Sequence, residues 1–276
     1  MGAVVVDMGM EPDHPALEDA GRILRRARKA VAFTGAGISV ESGIPDFRSP
    51  GGLWTVFAPE EYATIEAFLE NPAKAWKLFR AIGGTIAGAR PNQAHEALAA
   101  LEAAGRLAGV ITQNIDGLHQ AAGSRRVVEV HGDHRRLQCL SCGRLAPMPE
   151  EVLRGDSVPA CEACSAPQKP NVVLFGEAVR SLDEVEGLVS GCDALLVVGT
   201  SAQVYPAAGI PAAVKRGGGT VLEFNLEPTP LTEGDFQGFF RGGGPPCPVS
   251  DILFRGPAGT TVPAVARRAL GTAKER

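Results

Sequence analysis

Four of the six cysteines fall into two pairs, Cys139-x-x-Cys142 and Cys161-x-x-Cys164, with eighteen residues between the pairs. Two such knuckles at this separation match a four-thiolate zinc signature, because each presents two sulfurs about 2.3 Å from one ion and the two together complete a tetrahedron. With every position taken by a thiolate, none is left for water or substrate. The expected zinc is therefore structural, and it supplies much of the folding energy of the short segment that carries it. A redox dithiol pair is the alternative reading. Cys192 and Cys247 stand alone.

A second chemical signal is the stretch VAFTGAGISVESGIPDFRSPGG, residues 31–52. It opens as a dinucleotide turn at Gly35-Ala36-Gly37, but Val40 holds the place of the third glycine of G-x-G-x-x-G. The chain then passes through Gly43, Pro45, Asp46 and Arg48 instead of settling into a plain helix. The turn can hold phosphate, since glycine permits close approach and a helix N-terminus favours anions. A third signal is His131, just after an apolar run. Its imidazole can accept a proton at neutral pH, although a lone histidine there is more often structural. His14 and His95 read as helix-start residues, His119 as turn structure and His134 as surface.

The elements that must position these residues alternate. The spacing predicts a helix over 16–29, with the basic run Arg25–Lys29 complementing a helix end. A second helix starts at an Asn92 cap and stops at Gly105. Residues 30–34, 106–114, 127–132, 171–176, 193–200 and 220–225 read as strands, with DGLHQAAG turning into a short helix and further helices over 181–192 and 207–218. Strands apolar on both faces, alternating with helices, imply an α/β fold, a Rossmann-like parallel sheet with helices on both faces. The Cys- and Pro-rich stretch 137–170 interrupts it as a small inserted zinc-binding module. In such sheets ligands sit beyond the carboxyl ends of the strands. Gly35-Ala36-Gly37, Gln113-Asn114, His131-Gly132, Gly199-Thr200-Ser201 and Asn225 each follow a predicted strand, so five loops converge on one rim. The segment 233–250, rich in Gly and Pro, reads as an exposed loop.

Composition narrows the function. A net charge of -4 and a pI near 5.8 argue against a nucleic-acid-coating protein, and the cysteine module lacks a dense Lys/Arg face. No run of 18 apolar residues predicts a membrane span. The first residues lack a signal-peptide pattern, and Val6 breaks the myristoylation motif begun by Gly2. A cytoplasmic location is expected.

Taken in order, GAGISVESGIPDFR, TQNIDGLH, VHG, the paired knuckles, KPNVVLFGE, VVGTSAQVYPAAGIP and FNLEPTPLT closely resemble the sirtuins, NAD-dependent protein lysine deacylases, of bacterial or archaeal type. The resemblance covers roughly residues 16–270. It implies that the acyl-lysine oxygen attacks C1′ of the nicotinamide ribose, nicotinamide leaves, and the acyl group ends on ADP-ribose, so NAD is consumed as a co-substrate. It implies that Gly35, Ala36, Gly37 and Ser39 take the pyrophosphate and nearby ribose through backbone N–H groups and a hydroxyl. Pro45, Asp46, Phe47 and Arg48 would belong to a flexible cofactor loop. Gln113, Asn114, Ile115 and Asp116 would line the nicotinamide pocket. Gly199, Thr200, Ser201, Asn225, Leu226 and Glu227 would bind the adenosine half, with Ala258 closing over the adenine side. His131 would be the general base, with Asn114 and Asp116 the other catalytic residues, and one structural zinc would sit on the four cysteines. The implied division is 1–136 with 171–276 as NAD-binding catalytic domain, 137–170 as zinc module, and 46–92 as cofactor loop and small helical part.

An acyl-lysine peptide or protein substrate is expected to add as a strand between NVVLFGE and SAQVYP, touching Val173, Phe175, Gly176, Glu177 and Val204. Val172 and Leu174 read as core, and Leu174 replaces an aromatic found in many relatives. Relatives that remove succinyl or malonyl groups carry a Tyr and an Arg three residues apart; Phe79 and Ile82 stand there in this chain. An apolar pocket for acetyl or a longer aliphatic acyl group is expected, with Arg80 pointing off that face. No membrane or direct nucleic-acid partner is expected. Rival readings are protein mono-ADP-ribosyl transfer by the same NAD cleavage, and a non-enzymatic NAD sensor or zinc scaffold. A dehydrogenase is disfavoured by Val40.

Overall fold

Mostly apolar runs of three to six residues form the strands of the larger sheet, and amphipathic runs between them form its helices. A computed structural model describes residues 2–9, 13–234 and 247–271. In chain order the elements are β1 (Val4–Asp7), α1 (Pro15–Arg26), β2 (Ala30–Thr34), α2 (Pro59–Tyr62), α3 (Ile65–Glu70), α4 (Pro72–Gly88), α5 (Gln93–Ala103), β3 (Val110–Thr112), α6 (Leu118–Ala121), β4 (Val127–Glu129), β5 (Gly132–Cys139), β6 (Leu145–Pro147), α7 (Glu150–Arg154), β7 (Gln168–Val172), α8 (Leu182–Val189), β8 (Ala194–Val198), α9 (Ile210–Arg216), β9 (Thr220–Asn225), α10 (Pro230–Glu233), β10 (Ile252–Arg255) and α11 (Ala258–Leu270).

Seven strands make one parallel sheet in the order β1-β10-β9-β8-β2-β3-β4. Its residues alternate between two apolar layers. Val31, Phe33, Leu195 and Val197 face α8 and α9. Ala32, Leu196, Val198 and Phe224 face α1, α5 and α11 through Leu17, Leu24, Leu98 and Val265. Each such large side chain contributes about 1.5–3 kcal/mol on burial. Helices α1 and α11 cross at Gly21, where a Cβ would lie 2.4 Å from Arg268 Cβ, so only a hydrogen fits. The order reverses between β8 and β2, which puts the switch point, where such sheets bind ligands, at those two strand ends. The second sheet is antiparallel, in the order β6-β5-β7, with Cys139 at the end of β5 and Cys142, Cys161 and Cys164 in the turns beside it. No described helix is long and apolar enough to cross a membrane.

Several expectations need correction. The helix expected over 16–29 ends at Arg26. The Asp193 carboxylate accepts the Arg28 and Lys29 amides at 3.0 and 2.9 Å and pulls the chain into β2. Lys29 Nζ instead donates to Gly187 and Ser190 carbonyls at the end of α8, both at 2.7 Å. The strand expected at 171–176 lies earlier, at Gln168–Val172, and Phe175 makes only a single bridge to Thr64. Strands β1 and β10 and helix α11 add to the expected set. Of the loop expected over 233–250, residues 235–246 lie outside the described residues; in the described part Glu233 ends α10, and Val249 and Ser250 are buried, not exposed.

Candidate functional site

The loops after β2 and β8 meet at the switch point without room for side chains. A Cβ on Gly35 would stand 2.8 Å from Thr200 Cβ, one on Gly37 2.7 Å from Gly199 Cα, and Gly199 itself has φ +60°. The Gly35 amide donates to Val198 O (3.0 Å) and the Gly37 amide to Gly199 O (2.8 Å). In this structure these two amides are therefore paired within the protein. What the glycines supply is the close join of the two strand ends. Gln113 stitches the same join, its Nε2 donating to Thr200 Oγ1 at 2.8 Å.

Behind the join lies a buried polar network centred on Ser39. Asn92 N–H donates to His95 Nδ1 at 3.4 Å as part of the α5 cap, so the His95 proton sits on Nε2 and faces Ser39 Oγ at 3.5 Å. Asn114 Nδ2 donates to Ser39 Oγ at 3.1 Å, and Ser39 donates to Asp116 Oδ2 at 2.7 Å. The hydroxyl therefore uses its one donor and two acceptor positions. Asp116 Oδ1 also accepts the Leu118 amide at 2.9 Å. Burial pushes His95 down to about 4, against the opposing charge of Asp116. Beside it, His119 donates through Nε2 to Thr34 Oγ1 at 2.9 Å, while Thr34 donates to Thr112 Oγ1 at 2.9 Å. Burial, with His95 adding, pushes His119 down to about 3. His119 is thus a buried member of α6, and more than turn structure.

His131 follows β4 and is half-buried. Its Nδ1 lies 3.0 Å from the Gln113 carbonyl, which can only accept, so Nδ1 carries the proton and Nε2 the lone pair. Burial lowers its pKa, and the carbonyl works the other way. His134, expected at the surface, is buried under α4. Its Nε2 donates to Phe79 O at 3.2 Å, and its ring occupies the space left by Gly83, where a Cβ would be 2.5 Å from Cε1.

The residues of the expected cofactor loop fold on themselves. Asp46 Oδ1 accepts the Arg48 and Ser49 amides at 3.0 and 2.8 Å, and Pro45 and Phe47 are half-buried. Phe47 packs on Trp54 with ring centroids 4.9 Å apart, and Trp54 reaches Phe175 at 6.3 Å. Ile115 packs beside Ile82 and Trp54. Across the rim, Asn225 Nδ2 donates to Thr200 O at 3.1 Å and Glu227 pairs with Arg255 at 2.7 Å, leaving Leu226 exposed. Ala258 is buried at the start of α11, and the next amide, Gly259, donates to Glu41 at 2.6 Å. Ala36 and Ser201 are half-buried beside Gly37 and Thr200. Val173 and Val204 are half-buried, Phe175 and Gly176 exposed, and Val172 and Leu174 buried against Trp76 and Phe79. Glu177 turns inward, accepting the Leu174 amide at 2.8 Å and pairing with Lys169 at 3.0 Å. Arg80 points to Ser157 O, away from Phe79 and Ile82.

The four cysteines are free thiols whose sulfurs all lie within 4.8 Å of one another, with Cys139–Cys164 at 3.5 Å and Cys142–Cys161 at 3.6 Å. Sulfurs about 2.3 Å from one tetrahedral ion stand about 3.8 Å apart, so the set fits zinc.

Sequence reading missed Glu223 and Lys169. Each is a charge inside an otherwise apolar or strand-forming run, TVLEFN and QKPNV, and that mismatch is the signal. Glu223 is fully buried and accepts from Thr229, Thr232, Ser250 and Asn225, fixing the loop after β9.

The chain is similar to known proteins over most of its length. Residues 35–206 match the model of the Sir2 family. An NAD-dependent protein deacylase of Thermococcus kodakarensis is 43% identical over 267 residues, covering 94% of this chain and 98% of its own. A Sir2 homolog–NAD complex superposes with TM-score 0.81 at 36% identity, covering 98% of both chains. A Sir2 structure bound to a myristoylated histone peptide superposes with TM-score 0.72 at 36% identity, covering 92% of this chain and 95% of that one.

Proposed function

This chain belongs to the Sir2 family and is an NAD-dependent protein deacylase, and on that premise we propose that His131 is its general base and that its substrate is an acyl-lysine peptide segment. The observation that carries the reading is the His131 tautomer: Gln113 O holds Nδ1–H and leaves Nε2 as the proton acceptor, at the rim where the strand ends converge. NAD, when bound, supplies the ribose carbon whose bond to nicotinamide breaks. His131 Nε2 would accept a proton from a ribose hydroxyl of the bound co-substrate. Asp116, held rigid through Ser39, would present its carboxylate to the nicotinamide carboxamide, and Asn114, whose Nδ2 donates to Gly35 O at 3.2 Å and Ser39 Oγ at 3.1 Å, would line the same pocket with its Oδ1. Asn225 and the Gly199–Ser201 turn would hold the adenosine side. Phe47 and Trp54, packed on each other, would cover the ribose and exclude water. The zinc of Cys139, Cys142, Cys161 and Cys164 has no part in the chemistry.

The peptide adds along 173–177 opposite Val204; the solved relative with a myristoylated histone peptide supports a substrate of this class. Phe79 and Ile82, both buried on α4, give no cation for an acyl carboxylate, which favours acetyl or longer aliphatic groups over succinyl and malonyl. The chain divides as 1–136 with 171–276, 137–170 and 46–92, and four reduced thiols suit the cytoplasm. The test is nicotinamide release from NAD with and without acetyl-, myristoyl- and succinyl-lysine peptides. Release that depends on acetyl or myristoyl peptide is expected. Fastest turnover of succinyl peptide overturns the pocket assignment, and an ADP-ribose adduct without loss of acyl mass overturns the deacylation route.

A further inference from the structure

Lysine seldom lies fully buried without a partner that fixes it. Lys169 on β7 is fully buried, and its Nζ is ringed by oxygens: Val172 O at 2.6 Å, Glu177 Oε2 at 3.0 Å, Gln138 Oε1 at 3.3 Å and Pro170 O at 3.5 Å. Burial pulls its pKa below the usual lysine range, and the Glu177 charge opposes that pull. The same Glu177 oxygen accepts the Leu174 amide at 2.8 Å, and the Glu177 amide donates to Leu174 O at 3.0 Å. One ammonium group therefore grips both ends of the loop 172–177, at Val172 O and at Glu177. At its near end the loop is also held by the Val173 amide on His131 O, at 2.8 Å. At the other end of β7, Gln168 starts only four residues after Cys164, and its carbonyl accepts Trp76 Nε1 at 2.9 Å.

We propose that Lys169 is a positioning residue for the acyl-peptide substrate: its grip on Val172 and Glu177 sets the edge along which the peptide pairs and ties that edge to the cysteine-bearing sheet. The inference rests on the reading of 173–177 as the peptide edge. Among the described residues, the hydrogen-bond and ion-pair partners of Lys169 Nζ are Gln138, Pro170, Val172 and Glu177, none of them in the loops 199–201 and 225–227. Loss of the grip loosens the peptide edge and leaves NAD binding as it was.

The experiment is steady-state deacetylation of an acetyl-lysine peptide by the zinc-loaded full chain and by Lys169→Met, with peptide and NAD varied in turn and zinc content measured. The expected result is a rise in peptide KM of about five-fold or more, with NAD KM and kcat at saturating peptide changed less than about two-fold. Unchanged peptide KM, or parallel shifts in peptide KM, NAD KM and kcat, overturns the proposal. Should the variant not fold, amide hydrogen exchange on the unaltered chain decides: Leu174 and Glu177 amides protected as well as those of β7 support the grip, and exchange at exposed-loop rates overturns it. An unaltered chain that fails to deacetylate at all counts against the proposed function, whereas an active chain with an indifferent variant counts only against Lys169.

Discussion

In the seven-stranded sheet, β2 and β8 bury every residue, and all but Thr34 are apolar. In the three-stranded sheet, β7 also buries all five of its residues, yet Gln168, Lys169 and Asn171 are among them. Asn171 Nδ2 donates to Asp133 at 2.7 Å, and Asp133 pairs with Arg136 at 2.7 Å. Burial alone would raise the Asp133 pKa, but the hydrogen bonds from Arg136 and Asn171 outweigh it and the value is lowered. The large sheet is held by apolar area on two faces. The small one has one apolar cluster toward α3 and α4, and depends on fixed polar pairs and the cysteine tetrad. Apolar layers tolerate small shifts, whereas charge pairs in a buried strand demand one geometry. The proposed substrate edge at 173–177 follows the second kind of sheet, and the proposed nucleotide rim follows the first.

The largest test of this contrast is removal of one thiolate. Cys161→Ser should abolish stoichiometric zinc and activity, since structural zinc contributes on the order of 10 kcal/mol in small zinc-binding segments. Hydrogen exchange should show β5 and β7 unprotected while β2 and β8 stay protected. Equal loss of protection in both sheets would break the contrast. Next comes the seam, where His131 lies between β4 and β5. His131→Ala should lower kcat/KM by about 10²–10⁴, the usual worth of a positioned base, with little change in Tm. In the unaltered enzyme kcat/KM should fall at acid pH as Nε2 is protonated, with a midpoint below the ordinary histidine value because burial lowers it. Then Leu196→Ala, in the layer under α1, α5 and α11, should cost about 2–5 kcal/mol in denaturant unfolding and leave zinc content at one per chain.

The contrast also explains what the sequence disclosed. The strands of the large sheet that lead to the site announced themselves, because runs such as ALLVV and AVAFT bury both faces and end in glycine. The cysteine spacing announced the metal site. The outer parts were hidden for local reasons. β1 and β10 are four residues each, and α11 contains Gly259 and Pro263, both poor helix residues. It forms because Val262, Val265, Ala266 and Ala269 pack against the rest of the layer. In the candidate site, the positions of His131 and Asp116 just past strand ends were legible from the sequence. His95 as a partner of Ser39, and His134 beneath Gly83, depend on helices brought over from 56 and 51 residues away. No local pattern encodes such a meeting.

The smallest effect concerns the two buried histidines at the large sheet's rim. His95 and His119 are neutral in the folded chain, pushed by burial to about 4 and about 3, and their rings stand 4.9 Å apart. Unfolded, each would take a proton near pH 6.5. Both folded values are lowered, so between pH 6.5 and pH 4 the unfolded chain binds more protons. Stability is fully present above about pH 6.5 and is lost as pH falls through that window, by about 1.4 kcal/mol per pH unit for each histidine. His119→Gln keeps an amide N–H where Nε2–H meets Thr34 but cannot be protonated. Its stability should therefore fall less steeply than that of the unaltered chain between pH 6.5 and 5, by about one histidine's slope, in urea titrations at a series of pH values. His134, between α4 and the small sheet, is also lowered by burial, but the Phe79 carbonyl accepting its N–H and the nearby Asp133 charge oppose the shift. His134→Gln should change the slope less than His119→Gln. The reverse ranking would place the acid-sensitive point in the cysteine-bearing sheet and not under the rim of the large sheet.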